Sequence, residues 1–330
     1  MRRLRLPVLG AAIAAASIIL AGQAPPAQAA YPGANGRILF GRFDYPAVGA
    51  YDLFTANPDG SHVLQVTRVP SFCTEWSPDG KRIAFTFIEP DGANQIATMA
   101  PDGSNVKVLT SGTAISECPS WSPDGTKIVF DFSPGDDPNA PGFATHLYVM
   151  NADGTDPHPL IAPSLQGFDV EPRWQPTGHL ITFVRIRKGS LGIQQEAVFV
   201  AGVDGSGVRQ LTSWGQAPEH PTWSPDGQLI TFNDASFKPG AHETIWVMRP
   251  DGSDRHVVYQ GTANTGGVKP QFSPDGTKIL FACVTYGSAF GNGHTSDICT
   301  MNANGTGLVD ITNTPGVDEN VTSWGTAPLL

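Results

Sequence analysis

A five-residue phrase, Trp-Ser-Pro-Asp-Gly, returns along this chain at intervals of about 50 residues, and that recurrence limits the fold more than any other feature. It stands at Trp76–Gly80, Trp121–Gly125 and Trp223–Gly227, with altered copies at Trp174–Gly178 and Phe272–Gly276. A fixed period of this length means one supersecondary unit repeated, each copy burying its apolar face against the next.

The segment Phe72–Thr110 shows what the unit contains. Cys73–Trp76 reads as a short first strand, and Ser77-Pro78-Asp79-Gly80 as a tight turn. Proline presets φ at the second turn position, and glycine accepts the positive φ that follows. Lys81–Phe87 alternates apolar with polar or small residues, the period of a half-buried strand. Gln95–Met99 reads as a third strand, Ala100–Ser104 as a second turn and Lys107–Thr110 as a fourth strand. Four short antiparallel strands per repeat is the pattern of a propeller blade. The third strand and its turn occur six times, ending at Gly60, Gly103, Gly154, Gly205, Gly252 and Gly305. Only five complete first strands precede them, and the missing one lies at the far end, in Asn320–Gly325. The expectation is therefore an all-β, six-bladed β-propeller over residues 31–330, closed by pairing of its N- and C-terminal strands. Such closure removes free sheet edges.

The repeat resembles the PD40 type of WD40-like propeller repeat found in the propeller part of TolB-like proteins. The resemblance covers residues 31–330 and implies the fold. TolB proteins carry an α/β domain before the propeller, whereas here the leader passes almost directly into the first repeat. The resemblance therefore implies no Tol–Pal role. No Gly-x-Ser-x-Gly elbow is present to suggest an appended hydrolase.

Residues 1–30 read as a cleaved signal peptide: Arg2, Arg3 and Arg5, an apolar Leu6–Ala21, and Ala27-Gln28-Ala29 as the cleavage site. The expected location is secreted or extracytoplasmic, without stable membrane insertion. Without those three arginines, 17 basic residues face 30 acidic ones, which argues against nucleic acid as a partner. A monomer is expected.

Candidate sites follow from equivalent positions. Three residues before each key aromatic stand Cys73, Cys118, Glu171, His220, Lys269 and Val321. Two residues earlier stand Ser71, Ser116, Asp169, Pro218, Gly267 and Glu319. On innermost strands these would ring the central channel. Loops between the second and third strands, and those joining repeats, vary most: Asp131–His146, Val184–Glu196 and Ala282–Asp297 stand out. Function tends to sit on such loops. The binding candidates are Asp169, Glu171, His220, Lys269 and Glu319, with Phe168 and Trp214 from loops between repeats.

The expected function is a non-catalytic scaffold for a protein, peptide or cell-envelope partner, with no cofactor. The alternative is a hydrolase or lyase acting on a carbohydrate or lactone, with Glu171, His220 and Lys269 as base, acid and electrostatic stabiliser. Four cysteines in an exported chain suggest two disulfides, Cys283–Cys299 within one repeat and Cys73–Cys118 between neighbours. A metal held by Cys73, Cys118, Glu171 and His220 is a competing reading without a spacing motif behind it.

Overall fold

The computed structural model describes residues 32–43, 52–67, 71–89, 92–134, 145–161, 167–189, 194–234, 242–287 and 294–330. Among these residues every regular element is a strand, and the architecture is an all-β propeller.

The first repeat supplies β1 (Ile38–Phe43), β2 (Asp52–Ala56) and β3 (Leu64–Gln65). The second forms β4 (Ser71–Trp76), β5 (Ile83–Ile88), β6 (Asn94–Met99) and β7 (Lys107–Val108). The third forms β8 (Ile115–Trp121), β9 (Lys127–Ser133), β10 (His146–Asn151) and β11 (His158–Pro159). The fourth has β12 (Phe168–Trp174), β13 (Leu180–Lys188), β14 (Gln194–Gly202) and β15 (Arg209–Gln210). The fifth has β16 (Pro218–Trp223), β17 (Ile230–Asp234), β18 (Thr244–Met248) and β19 (His256–Tyr259). The sixth has β20 (Thr265–Phe272), β21 (Lys278–Tyr286), β22 (His294–Asn302) and β23 (Val309–Asp310), before β24 (Asp318–Trp324) ends the order.

Repeats two to five each make a separate four-stranded antiparallel sheet. The remaining strands make one eight-stranded sheet, so the strand pairing yields five sheets in place of six separate blades. The cause is local: a parallel pairing of Ser296 with Asp318 joins β22 to β24. Within that sheet β24 lies antiparallel against β1, with Ile38 opposite Trp324 and Arg42 opposite Glu319. The last strand thus completes the sheet that the first one starts.

The repeated phrase folds as its chemistry dictates. Ser77 Oγ donates to Asp79 Oδ1 at 2.7 Å, and the Lys81 amide donates to the same oxygen at 3.1 Å. The Gly80 amide closes the turn on the Ser77 carbonyl at φ +65°, a region open to glycine at little cost. The aromatic that begins each phrase fills the gap between neighbouring repeats. Trp76, for example, packs with Leu39 and Leu53 of the first repeat and with Ile83 and Phe85 of the second.

Strands run further into two of the expected loops than hydropathy suggests. β13 and β14 pair from Leu180–Gly202 to Lys188–Gln194, and β21 and β22 from Lys278–Asn302 to Tyr286–His294. Polar residues such as Arg187 and Gln195 alternate along these extensions and hide the strand period. The centres of the three variable loops, residues 135–144, 190–193 and 288–293, lie outside the described residues, as does the expected leader.

Candidate functional site at the channel mouth

Each innermost strand of repeats two to six carries a one-residue bulge just before its aromatic. In β4, Phe72 faces Thr86 and Glu75 faces Ala84, so Cys73 and Thr74 together oppose Phe85 alone. The same slip follows Glu117, Val170, Glu219 and Val268. The first bulge residue is left-handed every time: Cys73 (φ 48°), Cys118 (49°), Glu171 (55°), His220 (52°) and Lys269 (53°). A non-glycine residue held there costs of order 1–3 kcal/mol and persists only where its surroundings hold it.

Those surroundings are readable. The bulge amide of one repeat donates to a side chain on the second strand of the preceding repeat. Cys118 N reaches Thr86 Oγ1 at 3.0 Å, Glu171 N reaches Asp131 Oδ2 at 3.3 Å, and Lys269 N reaches Asn233 Oδ1 at 3.1 Å. The fourth repeat has Val184 at this place and offers no acceptor. There the Glu171 carboxylate substitutes, with Oε2 taking the His220 amide at 2.8 Å. A second tie joins the same two residues, His220 Nε2 lying 3.2 Å from Glu171 Oε1. In the second and third repeats the corresponding tie is covalent: a disulfide joins Cys73 to Cys118 with their Cα atoms 4.8 Å apart. Cys283 and Cys299 form the other disulfide, diagonal across the β21–β22 pair, with a Cα separation of 5.7 Å.

Burial pushes the His220 imidazole down to about 4, helped by Lys269 and Arg173 and opposed by Glu171. His220 is therefore neutral at pH 7. Lys269 is also lowered, chiefly by burial, with Glu171 working the other way. Glu219, one residue before His220, is raised to about 7 by burial and by the carboxylates of Glu171 and Glu196. Asp131 is raised well above its ordinary value by burial and by Glu117. Glu219 is thus a group that exchanges a proton near neutrality, and the repeat alignment alone did not single it out. Its own strand, Pro218–Trp223, holds no other acidic residue, and the carboxylates that raise it, Glu171 and Glu196, come from β12 and β14, so no local sequence signal marks it.

Asp169 and Glu319 do not open onto the channel. Asp169 is 3% exposed and bonded by both oxygens to Arg185 at 2.6 and 2.7 Å. Glu319 is fully buried against Arg42, at 2.9 and 2.6 Å. The arginines lie over Phe199 at 4.8 Å and Phe54 at 4.7 Å respectively. The bulge accounts for this: the extra residue turns the channel-facing sequence phase inward between sheets. Trp214 sits in the loop between the fourth and fifth repeats beneath Arg187, 3.8 Å from its ring centre. Phe168 begins β12 opposite Ile186 and is not in a loop.

Small cavities lie beside the bulge residues Cys73, His220 and Lys269 and the residues next to the aromatics. Two voids of about 30 and 20 Å³ remain beside Arg173, Thr222 and Gln271, each about the share of one water molecule. Arg173 is the charged group that sequence reasoning missed, because it sits next to the aromatic, where the other repeats have Glu75, Ser120, Thr222, Gln271 and Ser323. Among the described residues, no three His, Cys, Asp or Glu side chains converge as a metal site.

The family model "TolB beta propeller domain" matches residues 37–326. The chain belongs to the PD40 TolB β-propeller family. A curated relative, the Tol-Pal system protein TolB of Anaeromyxobacter dehalogenans strain 2CP-C, is 31% identical over 121 residues. That match spans 36% of this chain and 25% of the relative's length. Among solved structures, TolB from Acinetobacter baumannii superposes with a TM-score of 0.67 at 22% identity, covering 89% of this chain and 68% of that one. Kuenenia stuttgartiensis hydrazine synthase gives 0.70 at 14% identity, covering 90% and 48%. These superpositions show the fold alone. A propeller shared by such differently named proteins does not fix a function.

Proposed function

We propose that this protein is an exported, monomeric, non-catalytic scaffold that holds a protein, peptide or cell-envelope partner on its variable-loop face and channel mouth. On this reading residues 1–30 are removed on export, and the eight-stranded sheet acts as two blades, giving a ring of six. The carrying observation is the use to which the mouth residues are put. Glu171 and His220 brace left-handed bulges, Cys73 and Cys118 are bonded to each other, and Asp169 and Glu319 are held by arginines. Groups so committed support a rigid platform better than a turnover cycle. Membership of the TolB family, whose curated relatives are Tol-Pal system proteins, favours an envelope partner over nucleic acid.

The test is in-cell crosslinking of the exported protein, comparing wild type with a variant whose segments 135–144, 190–193 and 288–293 are replaced by short Gly/Asn turns. Partners lost with the loops support the reading, whereas an unchanged crosslinking pattern overturns it. One observation favours the enzyme alternative, namely Glu219 poised near neutrality beside His220. Turnover of a glycan or lactone that vanishes in both E219Q and H220A would establish that alternative.

A further inference from the structure

In the third repeat two carboxyl groups face each other beside the channel mouth. Glu117 and Asp131 stand directly opposite in the β8–β9 pair, which puts their side chains on one face with Cβ atoms about 5 Å apart. The matching pairs in repeats two, four, five and six are Phe72–Thr86, Val170–Val184, Glu219–Asn233 and Val268–Ala282. None of these sets two acids against each other. Like charges directly opposite destabilise a sheet, so the Glu117–Asp131 pair needs a physical account.

The fifth repeat supplies one by comparison. Asn233 Oδ1 accepts the Lys269 amide at 3.1 Å, and Asn233 Nδ2 donates to Glu219 Oε2 at 3.3 Å. One side chain thus braces the next repeat's bulge with its oxygen and holds the acid opposite with its nitrogen. Asp131 has the shape of that asparagine and performs the first task, its Oδ2 accepting the Glu171 amide at 3.3 Å. The second task falls to Oδ1, which is buried and, among the described residues, has no hydrogen-bond partner. Asp131 is only 4% exposed. An ionised carboxylate has no hydrogen to give Glu117, whereas a carboxylic acid has one. Glu117 Oε1 already accepts from Asn94 Nδ2 at 2.5 Å.

We propose that Asp131 keeps a proton in the fold and donates it from Oδ1 to Glu117, and that this shared proton is a pH-sensitive latch on the channel mouth. The electrostatics agree with the geometry. Burial, then the charge of Glu117, then that of Glu171 on β12 push the Asp131 carboxyl up, against the Glu171 amide and Arg173. The neighbour opposite it on β10 is the apolar Leu147. Burial also raises Glu117, with Asn94 opposing. Two acids in one buried site resist a second charge, and the proton then belongs to the pair.

Loss of that proton as pH rises sets two negative charges across the β8–β9 pair, with Glu171 as a third beside them. Asp131 relieves the repulsion by turning from Glu117, and in turning it takes Oδ2 from the Glu171 amide. The left-handed bulge at Glu171 then loses its acceptor, and the Glu171 carboxylate that holds the His220 amide loses its footing. One proton on the third repeat thereby reaches the fourth and fifth. The latch is a property of the ring itself and holds whether or not a partner binds the mouth.

The experiment combines two readings on the mature protein and two isosteric variants, D131N and E117Q. In infrared difference spectra at pH 7, wild type minus D131N should show the carbonyl stretch of one protonated carboxyl. Wild type minus E117Q should show the same band, because the amide in that variant donates to Asp131 and lets it ionise. Hydrogen exchange at the Glu171 amide, corrected for its intrinsic rate, reads the latch. Between pH 6 and pH 9 protection in wild type should fall about tenfold or more as the mouth opens locally. In D131N, which keeps the acceptor and brings its own donor, protection should stay within about twofold. The proposal is overturned by no band against D131N, by a band that survives in E117Q, or by protection that follows pH alike in wild type and D131N.

Discussion

Breaking the Cys73–Cys118 bridge tests how the mouth is held. The bridge closes a chain loop of 45 residues, a whole repeat, whereas Cys283–Cys299 closes one of 16 within a single sheet. Loop-closure entropy assigns about 4 kcal/mol to the first and about 3 kcal/mol to the second at 25 °C. For a domain of this size the unfolding entropy turns 4 kcal/mol into a fall in Tm of about 6 °C. The assay is equilibrium guanidinium unfolding without reductant, with C73S/C118S and C283S/C299S against wild type, the oxidation state of each being verified by intact mass. C73S/C118S should lose the larger share of stability, with its m-value raised by the more expanded unfolded chain. A loss under about 1 kcal/mol, or a loss smaller than that of C283S/C299S, would refute the reasoning. It would mean that the amide bond to Thr86 and the packed sheets already fix the two bulges.

The remaining predictions concern charge and the bulges. His220, held near 4 in the fold against an ordinary 6.5, contributes stability that is complete above pH 6.5 and lost as pH falls toward 4. Glu219, raised to about 7 from 4.5, acts oppositely, its contribution complete below pH 4.5 and lost as pH rises through 7. Between pH 4.5 and 6.5 the two slopes oppose, so H220Q should make stability fall with pH and E219Q should make it rise, as read from urea midpoints across that range. Identical slopes in both variants would contradict the assignment. E171Q keeps an acceptor for the His220 amide and should cost under about 1 kcal/mol, while E171A leaves that amide unsatisfied and should cost about 1–3 kcal/mol. D169A strands a buried guanidinium and should cost about 3–5 kcal/mol; a loss below 1 kcal/mol would show that water replaces the carboxylate.

The fold was legible because turn chemistry and aromatic placement repeat. Ser-Pro-Asp-Gly can do little except close a hairpin, and a tryptophan at the same place each time must meet the same neighbour. The exchange of the first strand to the end of the chain was legible for the same reason, since half a repeat stands at each terminus. What periodicity cannot carry is a register slip. A bulge adds one residue to one strand, and after it every side chain changes face. Asp169 and Glu319 lie on the far side of that slip from the aromatic, so counting back from the tryptophan points them at the channel when they lie between sheets. The sheet count also escaped, because the single parallel pair Ser296–Asp318 leaves no trace in hydropathy.

The bulge also changes the meaning of the ionisable triad. Read as a list, Glu171, His220 and Lys269 are a base, an acid and a cation on consecutive strands. Placed in the ring, they occupy the position at which Cys73 and Cys118 stand in the preceding two repeats. Residues at one structural position face one physical demand, here a left-handed backbone whose amide points away from its own sheet. The disulfide meets it by a covalent tie, and the Glu171–His220 pair meets it by two polar contacts, one of them to the amide that Val184 cannot serve. Variation at such a position is what different solutions to one packing problem produce. A dedicated catalytic triad would instead need side chains free to exchange protons with a substrate. Glu219 is the group nearest to that condition, and it stands outside the ring by one residue.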